Sequence, residues 1–224
     1  MSMLSNAELI RRVPLFTMIT SDQGILLSGA VGKQRFKRGE TIVEQGEQAH
    51  SLFLILAGRA RVVMTDRQSR EVILATLRPG DYVGEMSLID NEPHSASVVA
   101  EIQTDVLILG RAEFERCLNQ NVSMAQAVMR GLVLRLRQAN EKIGSLALLN
   151  VYGRVAKVLM GYAVPEGDHQ LVIREKMSRQ DIAKMVGASR EMVSRVMRDF
   201  EEQGFIETGE GGFITLTERR ASPR

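Results

Sequence analysis

The side chains with the clearest chemistry in this 224-residue chain lie near its C-terminus. Between Ser178 and Arg198 five basic residues (Arg179, Lys184, Arg190, Arg195, Arg198) stand against two acidic ones, Asp181 and Glu191, whereas the whole chain carries a formal charge of only +2. Met192, Val193, Val196, Met197 and Phe200 recur at helical spacing, which leaves Arg190, Glu191, Ser194, Arg195 and Arg198 on the opposite face. A charged helix face of this kind is what a groove would meet, so any case for nucleic acid is local and not a property of the whole-chain field.

Chemistry of turnover finds no comparable set. His50, His94 and His169 are the only histidines, none in an H-x-H pair, and no Ser/His/Asp constellation can be assembled. A metal-dependent cupin-like reading therefore lacks ligands, and the chain is expected not to be an enzyme and to need no metal or cofactor. Cys117, the single cysteine, is expected as a half-buried thiol near a helix start; alone it can form neither an internal disulfide nor a structural zinc site. With 44% hydrophobic and 25% charged residues the profile is that of a soluble globular protein. Apolar runs such as 51–57 and 146–149 are far short of a membrane span, and the start MSMLSNAELIRR lacks the order of a signal peptide, so a cytoplasmic protein without membrane contact is expected.

The elements that must hold these residues follow from pattern. Ser178 reads as an N-cap with Asp181 three residues on, Ile182 and Ala183 lie on one face, Val186, Gly187 and Ala188 make a turn, and Ser189 caps again. The result is helix, tight turn, helix, followed by a hairpin or wing from Phe205–Thr208 and Phe213–Leu216 across Glu210, Gly211 and Gly212. Upstream, Ala125, Met129, Leu132, Leu136, Ala139, Ile143 and Leu146 alternate steps of four and three, the seam of a two-stranded coiled coil, and predict a homodimer. Asn150 reads as the break and N-cap of the next helix, a natural hinge. From Val31 to Gly110 the pattern becomes short apolar runs between glycines, at 51–57, 59–64, 72–77, 95–100 and 106–109, which suggests an antiparallel sandwich or jelly roll. Alternation with Ala60, Val62 and Met64 puts Arg59 and Arg61 on its solvated outer face. Residues 1 to about 30 carry helical spacing in Ala7, Leu9, Ile10 and Val13, a stop at Pro14, and a second amphipathic piece near Leu26 and Leu27.

With SRQDIAKMVGASREMVSRVMRDFEEQGFI near the end, EKIGSLALLNVYGRVA in the middle, and PGDYVGEMSL followed by PHSASV earlier, the chain resembles the CRP/FNR family of bacterial transcription regulators over nearly its whole length. The resemblance implies an α+β protein: an N-terminal antiparallel β jelly roll of the cyclic-nucleotide-binding kind (1–120), a long dimerisation helix (121–150) and a C-terminal winged helix-turn-helix (151–224). It implies that Arg190, Glu191 and Arg195 read base edges in double-stranded DNA while Ser178, Arg179, Gln180 and Ser189 hold phosphates. The physics agrees, since arginine can make a bidentate contact to guanine and glutamate can accept from cytosine, which suits a palindrome of TGTGA-like half-sites. Capped helix starts also offer free N–H groups to phosphates.

For the sensor, the resemblance assigns Gly84 and Glu85 to the ribose, Ser95 to the phosphate, and Ala139 and Asn140 to the positions that touch the purine across the dimer. Where the family keeps a phosphate-binding arginine this chain has His94. A charge-assisted arginine contact contributes ~1.5 to 3 kcal/mol, and an ordinary histidine is mostly neutral at pH 7, so cyclic AMP should bind roughly tenfold to a hundredfold more weakly. Three readings stand open at this point: a weak cyclic AMP sensor, a sensor of another messenger such as cyclic-di-GMP, or a regulator without a ligand. Segments 65–70 and 164–170 fall where relatives touch RNA polymerase, though nothing in their chemistry fixes that partner.

Overall fold

A computed structural model describes residues 27–166, 170–209 and 212–217. The helical spacing expected up to Leu26 lies outside the described residues; Leu27 opens a helical stretch through residue 30 and is buried. Contacts divide the chain into two compact units between Arg137 and Gln138.

In the first unit eight strands form two antiparallel sheets. One has the order β1 (Val31–Phe36), β8 (Thr104–Gly110), β3 (Ser51–Ala57), β6 (Tyr82–Val83); the other β2 (Thr41–Val43), β7 (Ser97–Ala100), β4 (Ala60–Thr65), β5 (Glu71–Leu77). The expected jelly roll is present, and the run at 51–57 coincides with β3. The two-residue β6 and three-residue β2 are too short to leave an alternating pattern, which is why the sequence does not announce them. Leu52, Leu54, Ile55, Val106, Leu107 and Leu109 are fully buried between these layers and the helices against them.

Arg59 and Arg61 differ from expectation. Ala60 is buried and Val62 packs on the core, so Arg61 keeps the outer face, but both arginine side chains are largely sheltered by ion pairs across that face. They converge on Glu101, Arg59 Nε at 2.6 Å from Oε2 and Arg61 Nη2 on Oε1.

Helix α1 (Glu85–Asp90) sits between β6 and β7, and α2 (Arg111–Gln120) carries Cys117, which is half-buried but in the last turn of its helix. The spine is α3 (Val122–Leu148), whose first turns bury Met124 and Val128 on the jelly roll with Ala127 and Leu132 packed beside them. Of the seven seam residues, Ala125 and Leu132 are thus half-buried within the unit. Met129, Leu136, Ala139, Ile143 and Leu146 are exposed.

The second unit holds the end of α3, α4 (Val151–Tyr162), α5 (Arg179–Val186), α6 (Arg190–Glu202) and an antiparallel sheet in the order β11 (Ile206–Thr208), β12 (Ile214–Thr217), β10 (Gln170–Ile173), β9 (Val164–Glu166). Asn150 caps α4, its Oδ1 accepting from Gly153 N at 2.9 Å. The wing forms with Ile206 opposite Leu216 and Thr208 opposite Ile214. Strands β9 and β10 extend that sheet, and part of segment 164–170 belongs to them. Val155, Leu159, Ile173, Ile182, Val193, Val196, Met197 and Ile214 form the core that fixes α6 on its neighbours.

Candidate nucleic-acid interface and effector cassette

The helix-turn-helix is built by its caps. Ser178 Oγ accepts from Asp181 N at 3.0 Å and donates to Asp181 Oδ2 at 2.7 Å, so the two side chains close the start of α5 on each other. Gly187 is left-handed (φ 63°), and the N–H groups of Gly187 and Ala188 both bond to Ala183 O, which turns the chain sharply into the next helix. Ser189 then accepts from Met192 N at 3.2 Å and starts α6.

With Val193, Val196 and Met197 buried, Arg190, Glu191, Ser194, Arg195 and Arg198 are all exposed and together line one shallow concavity. The Glu191 carboxyl is held below the ordinary carboxylate range by its own backbone N–H and by the Ser189 hydroxyl, so it stays an acceptor. Ser178, Gln180 and Ser189 are exposed; Arg179 is half-buried and ion-paired to Glu201 at 3.6 Å, so a phosphate has to compete with that carboxylate.

Two side chains that the sequence reading missed position this face. The Tyr152 hydroxyl donates to Asp199 Oδ2, while its ring meets Phe200 edge to face at 5.9 Å, tying α6 to α4. Arg154 donates to Val186 O and to Leu149 O, both at 2.9 Å, and so brackets the ends of α5 and α3. A polar residue facing inward from an amphipathic helix is the only signal that could have marked either one.

In the first unit the residues expected for the sensor occupy β6, α1 and the loop before β7. Gly84 has φ +96°, and a Cβ there would come within 3.0 Å of Ser51 O, so the turn requires glycine. Glu85 is 1% exposed. Its Oε1 takes Arg135 Nη1 at 2.6 Å, its Oε2 has no hydrogen-bond partner among the described residues, and burial raises its pKa against the pull of Arg135.

Arg135 also donates to Tyr82 O and lies 5.0 Å from the centre of the Tyr82 ring. His94 Nδ1 is 3.2 Å from Ser87 Oγ, and burial, reinforced by His50, moves its pKa below the ordinary 6.5. The imidazole is therefore neutral at pH 7. Ser95 is exposed. Arg111 closes the end of α1, donating to Leu88 O at 3.1 Å and Asn91 Oδ1 at 2.7 Å. Ala139 and Asn140 are exposed on the part of α3 that belongs to the second unit.

The cassette matches a ribose better than it matches a phosphate. A buried carboxylate oxygen without a donor is what a ribose hydroxyl would satisfy, whereas a neutral imidazole engaged with Ser87 is a poor anchor for an anion.

Two family models match the chain, a cyclic nucleotide-binding domain over residues 33–121 and a Crp-like helix-turn-helix domain over residues 153–221. The chain is 33% identical over 180 residues to the cAMP-activated global transcriptional regulator Vfr of Pseudomonas aeruginosa, covering 78% of this chain and 84% of that one. It is 32% identical over 175 residues to the cAMP-activated global transcriptional regulator CRP of Escherichia coli, covering 77% and 83%. Among solved structures, the c-di-GMP responsive global regulator CLP of Xanthomonas campestris shares the fold, with a TM-score of 0.75 at 21% identity over 89% of this chain and all of that one. A jelly roll and a winged helix-turn-helix, each matched by its own model and both spanned by these relatives, establish that the chain belongs to the CRP/FNR family of transcription regulators.

Proposed function

We propose that the protein is a homodimeric, cytoplasmic transcription regulator that binds palindromic TGTGA-like double-stranded DNA under control of a nucleotide second messenger, cyclic AMP or cyclic-di-GMP. One observation carries the reading: a helix with a buried apolar face and a Ser189 cap exposes Arg190, Glu191 and Arg195 together. Guanidinium and carboxylate at that spacing can take guanine and cytosine edges in a major groove. The free N–H groups at the capped starts of α5 and α6 suit phosphates. For the dimer, Met129, Leu136 and Ile143 are 56, 61 and 64% exposed at a strict seven-residue spacing, an apolar stripe that a second copy would cover. A bound activator works through RNA polymerase, and the exposed β4–β5 turn, held by Asp66 accepting from the N–H groups of Gln68 and Arg70, offers one surface for it.

Glu85 Oε2 supports a ribose-bearing effector, and the relatives at about 32% identity favour cyclic AMP. His94 supports the second reading, a DNA-binding regulator whose jelly roll is purely structural. Calorimetric titration with cyclic AMP, cyclic GMP and cyclic-di-GMP separates the two, paired with fluorescence anisotropy on a TGTGA palindrome and on a scrambled duplex. Specific DNA binding strengthened by one nucleotide is the expected result. Equal binding to both duplexes would sink the reading, and tight specific binding indifferent to every nucleotide would leave the structural jelly roll.

A further inference from the structure

Glycine weakens a helix interior, yet Gly131 stands in the middle of α3. The reason is Tyr82. A Cβ on Gly131 would lie within 3.0 Å of the Tyr82 hydroxyl oxygen and 3.2 Å from its ring Cζ, so the phenol occupies the notch that the missing side chain leaves. Arg135 follows one turn later on the same face, stacked on the same ring and bonded to Tyr82 O and Glu85 Oε1. Strand β6 and the start of α1 are therefore fastened to α3 within a single four-residue step. Two buried polar atoms in this cluster, Tyr82 Oη and Glu85 Oε2, lack hydrogen-bond partners among the described residues. Buried atoms in that condition favour any rearrangement that supplies a partner.

We propose that Tyr82 and Gly131 are positioning residues for the effector response: the phenol in its notch fixes the height of α3 against the jelly roll, holds Arg135 on Glu85, and thereby sets the DNA affinity of the effector-free protein. An effector hydroxyl that takes Glu85 Oε2 draws on the carboxylate that holds Arg135, so occupancy is passed to α3 through a contact with one seated geometry. The proposal rests on the nucleotide-controlled reading above for its purpose, but not for its test.

The test compares native protein with Gly131→Ala, Tyr82→Phe and the double variant. It reads affinity for a TGTGA palindrome by anisotropy without nucleotide, then with cyclic AMP, alongside thermal melting. Gly131→Ala drives the phenol out and should shift the effector-free affinity by about fivefold or more, the scale of a typical coupling between sites. Tyr82→Phe keeps the ring under Arg135 but empties the notch of its hydroxyl, and alone should also shift the effector-free affinity, by less than Gly131→Ala does.

In the double variant the hydroxyl that met the new methyl is gone, leaving only the tight but tolerable approach to Cζ, and affinity should return to within about twofold of native. A fall in melting temperature with unchanged DNA affinity, or failure of Tyr82→Phe to rescue, overturns the proposal. If Gly131→Ala does not fold, Arg135→Gln cuts the same link and should shift affinity likewise; no shift overturns it equally. A native protein that binds the palindrome but ignores every nucleotide would defeat the nucleotide reading, while the comparison made without nucleotide still decides the latch.

Discussion

His94 stands where the resemblance implies a phosphate-binding arginine, and its surroundings widen that difference. Burial and His50 depress its pKa, so the cationic form that could hold a phosphate appears only as pH falls below the ordinary 6.5. Cyclic AMP affinity should therefore be flat from pH 8 to 7 and rise only in more acid solution, where protonation also costs stability because the unfolded imidazole takes the proton more readily. His94→Arg should raise the affinity by ~1.5 to 3 kcal/mol at neutral pH. An arginine variant that binds no better would show that the cassette does not accept a cyclic phosphate.

On the DNA side, Arg195→Ala should cost ~1 to 3 kcal/mol on the best site and relax one base preference. Arg179→Ala should weaken all sequences alike, and by less than a free arginine would, because Glu201 already holds it. Equal losses on specific and random duplexes for Arg195→Ala would refute the division of roles. The outward set on α6 was legible because a solvent-facing helix declares its exposed residues by period alone. Arg135, Tyr82 and Arg154 were not, since which acceptor a long side chain reaches depends on a partner some 30 to 50 residues away.

Among the elements, helices and long strands followed their periods, and the caps at Ser178, Ser189 and Asn150 stand where hydrogen-bonding side chains precede apolar runs. Short strands escaped, as did β9, exposed throughout, and β10, which runs from exposed to buried, so that neither gives an alternation. The spine shows why pattern alone is ambiguous: α3 has two apolar faces, one ending on the jelly roll through Met124 and Val128, the other open through Met129, Leu136 and Ile143. The heptad count follows the second face but takes in Leu132, which packs on the first. The open face is the proposed dimer surface, where covering each large aliphatic side chain would contribute roughly 1.5 to 3 kcal/mol. Leu136→Glu puts a charge at its centre and should give folded monomers that no longer bind the palindrome tightly. An intact dimer of that variant in analytical ultracentrifugation would remove the seam from the argument.

For the whole molecule, the proposed two-fold dimer would have to present two copies of α6 to one duplex, and their separation would become a property of the DNA it selects. Two half-sites on one face of B-DNA lie about 34 Å apart, one turn of roughly 10 to 10.5 base pairs. The second helix of a bound dimer then meets its half-site at high effective concentration, a gain on the order of 10² to 10⁴ over one half-site alone. Inserting about five base pairs between the half-sites rotates one of them to the far side of the duplex. Affinity should fall toward that of a single half-site, whereas changing the sequence of the central step at constant length should have a much smaller effect. The comparison must be made at one salt concentration, because the phosphate contacts proposed for Arg179 and its neighbours would persist on every duplex and their share would grow as salt is lowered. If the half-turn insertion leaves affinity untouched, the two recognition helices do not act together, and the exposed stripe on α3 must be covered by something other than a second copy.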